Sequence, residues 1–339
     1  MKNIYNWPLW HWHFEITSAC TLKCSRCSRT ELPEQLVIDS LDLEFFERNF
    51  SPALLKEIHR ISLCGYDGDP IYNKQFLEIC QYFKQNNPAL ELYIVTNGSY
   101  KKTHWWEQLA SILNEHDQIH FSLDGWDQQS NALYRVNSDW ASIQAGIKAL
   151  QNQSVRIVWD LIYFDFNYKQ KDNIIKQAQS SGFDAIRFTK SNKFNFYYSS
   201  YEKNLEPPAE YISSNGRFES ETVKLSERHI YDNAFKNAVK RYLEMDHTQR
   251  IVPLCSIGTK GLFVDSQGYF YPCCWVINKY NTQQYQQWLT PDRNIKQSGL
   301  EAVLNNPYWE QFKSEIPANG ICQSKCNSAE TNIQTIVRW

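Results

Sequence analysis

Between residues 11 and 188 the chain alternates short β-rich runs with longer amphipathic ones, and this alternation narrows the choice of fold more than any other feature. Residues 11–17, 59–64, 90–96, 118–123, 155–163 and 185–189 are predicted strands. Residues 41–50, 74–85, 103–114, 140–151 and 168–180 are predicted helices. In the second of these, Leu77, Cys80, Gln81 and Lys84 hold the i, i+3, i+4, i+7 positions of one face, apolar only in its first half. Such a pattern predicts an α/β fold, a partial (β/α)6 TIM-like barrel, with an open doubly wound sheet as the competing architecture. Periodicity does not separate the two. In either one, ligands gather at the carboxyl ends of the parallel strands.

The segments that follow those strand ends carry chemistry. After the first come Cys20, Cys24 and Cys27, spaced C-x3-C-x2-C. Three thiolates this close can hold three irons of a cubane cluster and leave the fourth iron open. A zinc knuckle is the alternative, but zinc favours paired arms and a fourth closing ligand. After the second strand comes Gly65-Tyr66-Asp67-Gly68-Asp69-Pro70, whose glycines permit close backbone approach to a ligand. Thr96-Asn97-Gly98 follows the third, Ser122-Leu123-Asp124-Gly125 the fourth, and Tyr134-Arg135 lies in the next loop. Each alone also reads as an ordinary turn or surface charge.

Composition limits the remaining choices. A chain of 339 residues has room for roughly two domains, and 42% hydrophobic with 15% aromatic residues supplies a core. A net charge of −2 gives no drive towards nucleic acid or anionic membrane. Ten cysteines, clustered towards the two ends, are too sparse for a disulfide scaffold and point to metal or cluster chemistry in a reducing compartment. The N-terminal stretch lacks a signal-peptide pattern, and no apolar run is long enough to cross a bilayer. A cytoplasmic location and no membrane partner are expected. Cys64 and Cys80 read as buried small apolar residues. Trp7, Trp10 and Trp12 suit either a pocket lining or strand packing, and His11 and His13 share a strand face as structural, hydrogen-bonded residues.

Residues 190–250 change character: 193–201 is aromatic and polar, Pro207-Pro208 breaks any helix, 213–220 reads as a loop, and a helix is predicted over 229–245. From Cys255 the pattern becomes C-x12-G-x4-C-C, with Asp265–Gly268 forming a hairpin turn. A helical run at 299–314 then leads to Cys322-Gln323-Ser324-Lys325-Cys326. A four-cysteine zinc site is again the alternative to a cluster.

With these motifs in hand, the chain resembles the radical S-adenosylmethionine (radical SAM) superfamily, whose signature is the C-x3-C-x2-C loop after the first barrel strand. In that family the open iron chelates the amino and carboxylate groups of SAM, and an electron from the cluster cleaves SAM to a 5′-deoxyadenosyl radical that abstracts a substrate hydrogen. The resemblance implies that Asp67, Gly68, Asp69 and Pro70 stand for the segment facing the SAM amino group, with Asp69 where Glu is commoner. Thr96 and Asn97, Ser122 and Asp124 supply polar contacts at the next two strand ends. Arg135 stands near the SAM carboxylate. Arg26 departs from the family, where a large or aromatic residue is usual.

The C-terminal cysteines resemble the auxiliary-cluster region of the twitch or SPASM type, here with one cluster. Cys255, Cys273, Cys322 and Cys326 are the implied ligands of that second [4Fe–4S] cluster, Cys274 being the alternative to Cys273. The implied division is a barrel core at 1–190, a connecting segment at 191–250 and a small α+β cluster domain at 251–339. A fully ligated cluster suits electron transfer, which implies an oxidoreductase: hydrogen abstraction, loss of a proton to a base, and loss of an electron to the auxiliary cluster. Asp160 or Asp165 near the end of the fifth strand is the candidate base, an ordinary strand-end role being the other reading. The chain starts almost at the first barrel strand, with no room for a leader-peptide domain, so a small polar substrate is expected. Modification of a peptide is the alternative, and a non-catalytic zinc or cluster protein is the rival of another class. A flavodoxin or ferredoxin is the expected electron donor.

Overall fold

Strand β1, His11–Phe14, lies inside the sheet, third from one edge. The computed structural model describes residues 6–191, 205–213, 219–228, 240, 255, 258, 261–315, 322–323 and 326. Along one side of β1 run β2 (Arg60–Leu63), β3 (Glu91–Thr96), β4 (Gln118–Ser122), β5 (Arg156–Ile162) and β6 (Ala185–Lys190), each parallel to the one before. Strand β7 (Glu219–Lys224) then pairs antiparallel with β6. On the other side β8 (Leu262–Val264) is parallel to β1, and β9 (Phe270–Tyr271) folds back on β8.

The six parallel strands keep chain order without reversal. A doubly wound sheet reverses at a switch point, so the competing architecture is excluded and the sheet is a partial barrel, open at β7 and β9. Helices Leu43–Asn49, Phe76–Asn86, Thr103–Ile112, Trp140–Leu150 and Lys171–Ser180 occupy the crossovers. Each starts or ends within three residues of its predicted limits.

Alternation along the strands sorts the two faces. Trp12, Phe14, Ile61, Leu63, Leu92, Ile94, Ile119, Phe121, Ile157 and Trp159 turn outward under the helices and are fully buried or nearly so. The opposite face is polar, with His11, His13, Arg60, Ser62, Glu91, Tyr93, Gln118, His120, Arg156, Asp160 and Arg187 at the intervening positions. His11 bonds Gly258 O and Ser62 Oγ, and His13 bonds Cys64 O. Trp12 and Trp7 pack in the core, Trp7 edge-on to Phe270 and Trp309, so these tryptophans tie the N-terminal segment to the C-terminal region.

Three expectations need correction. Residues 219–220, the end of the loop expected over 213–220, already belong to β7; the run Glu-Ser-Glu-Thr-Val-Lys at 219–224 is too polar to look like a strand, and antiparallel pairing to β6 supplies what propensity lacks. The run at 299–314 is two helices, Leu300–Leu304 and Tyr308–Glu315, because Pro307 cannot sit inside one. Cys80 is fully buried as expected, but Cys64 is half-buried at the inner-face end of β2. The helix predicted over 229–245 lies outside the described residues except for residue 240. Among the described residues no helix is long and apolar enough to cross a membrane.

Candidate active site

The loop after β1 holds Cys20, Cys24 and Cys27, all half-buried, and none of the ten cysteines is joined in a disulfide. Local bonds shape it: Cys27 N donates to Cys24 O at 3.1 Å, and Cys27 then starts the short helix Ser28–Glu31. Cys20 Sγ accepts from Leu22 N at 3.4 Å and from the Asn97 amide at 3.7 Å. Burial and the nearby Asp69 push the Cys20 thiol up to about 12, so a cation must replace its proton if it is to act as a thiolate. Tyr134 and Arg135 lie beside Cys24. Reachable thiols, N–H donors aimed at sulfur and a neighbouring guanidinium fit an anionic iron–sulfur cluster.

Asp69 fastens the loop after β2 to the loop after β3. Its Oδ1 accepts from Thr96 Oγ1 at 2.9 Å, and its Oδ2 accepts from both Asn97 N and Asn97 Nδ2 at 2.6 Å. Burial lifts its carboxyl to about 6, with those donors pulling the other way. Thr96 and Asn97 are thereby brought to Cys20. Gly68 does permit a close approach, but to the chain: a Cβ there would meet Thr17 O at 2.0 Å. Asp69 N donates to Ala19 O at 3.0 Å, so the two loops are stitched backbone to backbone. Pro70 starts a 3-10 turn capped by Asp69.

Arg135 is ion-paired with the fully buried Asp124 at 2.8 Å, and Asp124 Oδ1 also accepts from Ile162 N at 2.8 Å. Asp124 thus holds the guanidinium beside Cys24. Ser122 ends β4, in register with Asp160 on β5 and through it with Arg187 on β6. Arg26 is turned inward at 2% exposure and pairs with Glu31 at 3.5 Å, which Tyr280 of the C-terminal region also bonds.

The two candidate bases sit in different surroundings. Asp160 is half-buried, and desolvation alone would raise its pKa, but Arg187 and His120 overrule it and hold it down at about 2. A carboxylate that acidic is a weak proton acceptor near neutrality. Its contacts with Arg187 and with His120 Nδ1, at 3.0 Å, make it an anchor within a polar platform that also includes Tyr93. Asp165 is exposed on the loop after β5, where its backbone N–H pairs with Leu205 O.

Asp67 also departs from expectation. Its side chain turns away from the Asp69 side to take Ser28 Oγ at 2.7 Å and the Lys279 ammonium. Its backbone N–H and that of Gly68 donate to Glu15 Oε1 at 2.6 and 3.0 Å. Asp265 completes the group around this enclosed polar pocket, bonded by Tyr271 Oη, and Lys279 lies over the rings of Tyr66 and Tyr285. Burial, then the Asp67 and Asp265 charges, lift the Glu15 carboxyl to about 7. A raised carboxyl stabilises the fold fully below its unfolded pKa, and that stability is lost as pH rises through the folded value. Glu15→Gln keeps the acceptor and removes the charge. Its melting temperature under anaerobic conditions is expected to match that of the parent near pH ~5 and exceed it near pH ~8. Equal gaps at both pH values would show that Glu15 does not titrate.

In the C-terminal region Cys255, Cys273, Cys322 and Cys326 are buried at 6–9% exposure, whereas Cys274 is half-buried. Burial, then Cys255, Cys274 and Cys326, raise the Cys273 thiol, and burial with Cys326 pushes Cys322 up to about 12. Cys273 thus lies near Cys255 and Cys326, and Cys322 near Cys326. Cys274 is also close enough to Cys64 to raise it, after burial. Among the described residues no three His, Cys, Asp or Glu side chains converge on a single ion.

Sequence reasoning missed Glu15, Lys279, Asp265, His120 and Arg187. The one legible signal was the pairing of His11, His13 and Glu15 on the polar face of the first strand; the rest are joined only by the fold.

The sequence model of the radical SAM superfamily matches residues 14–176, and that of an iron–sulfur cluster-binding domain (SPASM) matches residues 255–327. Curated relatives include GTP 3′,8-cyclase of Rhizobium etli (strain CIAT 652), 27% identical over 175 residues, covering 50% of this chain and 48% of that protein. GTP 3′,8-cyclase of Nitrobacter winogradskyi is 29% identical over 147 residues, covering 40% of this chain and 39% of the other. The chain thus spans about half the length of the curated relatives it matches, or less. Among solved structures, Streptococcus suis SuiB is similar with a TM-score of 0.59 at 14% identity, covering 97% of this chain and 74% of the other. Native anSMEcpe with bound AdoMet has a TM-score of 0.54 at 13% identity, with coverages of 96% and 95%. These structural likenesses speak to the fold alone. With the cysteine loop, the strand-end contacts and the buried C-terminal thiols, the chain belongs to the radical SAM superfamily, as an enzyme using SAM and two [4Fe–4S] clusters, the second held in a SPASM-type region.

Proposed function

We propose that this enzyme dehydrogenates a small polar substrate bound over the inner face of the barrel. Cys20, Cys24 and Cys27 hold the SAM-binding cluster, and Cys255, Cys273, Cys322 and Cys326 hold the auxiliary one. When bound, the first cluster and SAM would supply a radical that takes one hydrogen atom, the second cluster would accept the electron, and the substrate's proton would pass to solvent. Asn97 and Leu22 hold Cys20, the Asp69 staple fixes the SAM-facing loops, and Asp124 aims Arg135 at the SAM carboxylate. The Asp160–Arg187–His120–Tyr93 platform anchors and orients the substrate, and it carries this reading: a barrel floor so polar suits a hydrogen-bonding molecule. The GTP named in the relatives' activity falls within the same class. The enzyme works in the cytoplasm with a flavodoxin- or ferredoxin-like electron donor.

Peptide modification is the second reading. Its support is β7, an edge strand with no buried residue, to which an extended peptide could add. Fractions from cells grown in deuterated medium separate the two. Reduced enzyme, unlabelled SAM and the small-molecule fraction should yield deuterated 5′-deoxyadenosine. Deuterium arriving only from the peptide fraction would overturn the small-substrate reading.

A further inference from the structure

We infer that the apolar rim beside the first cysteine loop is the docking surface for a small acidic one-electron carrier protein. The inference rests on the function proposed above, since only that function requires an electron from outside the chain.

Among the described residues five large hydrophobic side chains are exposed: Val37, Ile38, Tyr100, Leu133 and Val136. Single exposed apolar residues are ordinary; neighbours sharing one feature are not. Tyr100, Leu133 and Val136 belong to two segments tied to the cysteine loop. Val136 O accepts from Lys23 N at 3.0 Å, and Asn137 Nδ2 donates to Thr21 O at 2.7 Å. Tyr100 Oη donates to Asn137 O at 2.9 Å. Tyr100 and Asn137 both sit in left-handed backbone, at φ of 65° and 70°.

Charge sets the partner's sign. Lys23 and Lys102 are exposed at this rim, and Lys101 lies over the rings of Tyr72 and Trp105. The neighbouring carboxylates Asp127 and Asp139 cap helices and keep their charge, and Lys23, Lys101 and Lys102 outnumber them. An apolar centre with a basic edge matches a protein that surrounds its redox group with acidic side chains. Electron-transfer encounters are small and weak, with electrostatics governing approach. One electron leaves the reduced carrier, which is oxidised by one, and enters the cluster held by Cys20, Cys24 and Cys27; no bond forms or breaks in the transfer. Electron transfer falls steeply with distance, and a carrier on this rim rests against the loop that holds the acceptor.

The test uses flavodoxin as probe with two double variants, Leu133→Glu/Val136→Glu and Lys23→Glu/Lys102→Glu. Calorimetric affinity of the full enzyme for oxidised flavodoxin should fall about tenfold or more in each. The lysine variant should also lose most of the salt dependence. With flavodoxin hydroquinone, 5′-deoxyadenosine formation should slow by a similar factor, while iron content and the dithionite-driven rate stay at the parent value. Unchanged affinity and rate in both variants would overturn the inference, as would an equal loss with dithionite. If the parent enzyme made no 5′-deoxyadenosine with dithionite, the proposed function would fail, and the affinity measurement would still decide the docking surface.

Discussion

Cys24→Ala protein purified without oxygen is expected to carry about four iron atoms per chain where the parent carries about eight, and its SAM cleavage is expected to fall to background. Cys24 shares its loop with Cys20 and Cys27, and Cys27 N is bonded to Cys24 O, so the three thiols are positioned as one unit. A second ligand-deficient iron would leave that cluster without the fixed geometry SAM needs. The four buried cysteines of the C-terminal region are untouched by the change. Cys273→Ala is the complement: the auxiliary cluster is lost, and SAM cleavage survives while substrate oxidation does not. Full iron content and cleavage in Cys24→Ala, assayed by iron analysis and chromatography of 5′-deoxyadenosine, would remove Cys24 from the ligand set.

Lys279→Met is expected to cost about 3–5 kcal/mol of stability, as breaking a buried ion pair from one side does. Lys279 and Asp67 are 9% and 4% exposed at their side chains, and Glu15 and Asp265 already crowd the same pocket with carboxylates. Without the ammonium, Asp67 keeps only Ser28 Oγ and water-poor surroundings. Asp67→Asn/Lys279→Met removes both charges and should recover much of the loss. Anaerobic denaturant titration of the single and double variants measures the coupling. A cost below about 1 kcal/mol for Lys279→Met, the level of an exposed pair, would contradict the tie between barrel and C-terminal region.

What could be read without the structure follows from distance along the chain. The six parallel strands and five crossover helices declare themselves locally, through alternation and amphipathic spacing, and were placed within a few residues. The cysteine loop is legible because its ligands lie within eight residues of one another. Asp67 and Lys279 are 212 positions apart, and nothing in either neighbourhood announces the other. Orientation is equally hidden: Asp67 and Asp69 flank one glycine, yet one faces Lys279 and the other Asn97. The charge of Asp160 at a strand end is legible, and its partners, Arg187 and His120 on the neighbouring strands, are not. Strand β7 escaped because its stability comes from pairing with β6 and its composition gives no sign of it.

Electron paramagnetic resonance of the dithionite-reduced parent enzyme, recorded with and without SAM, bears most directly on the assignment of the two clusters. One of two [4Fe–4S] signals is expected to change on addition of SAM, because one iron held by the Cys20–Cys24–Cys27 loop lacks a protein ligand, and the other signal is expected to stay as it was. Two signals indifferent to SAM, or no iron signal and one zinc per site, would contradict it.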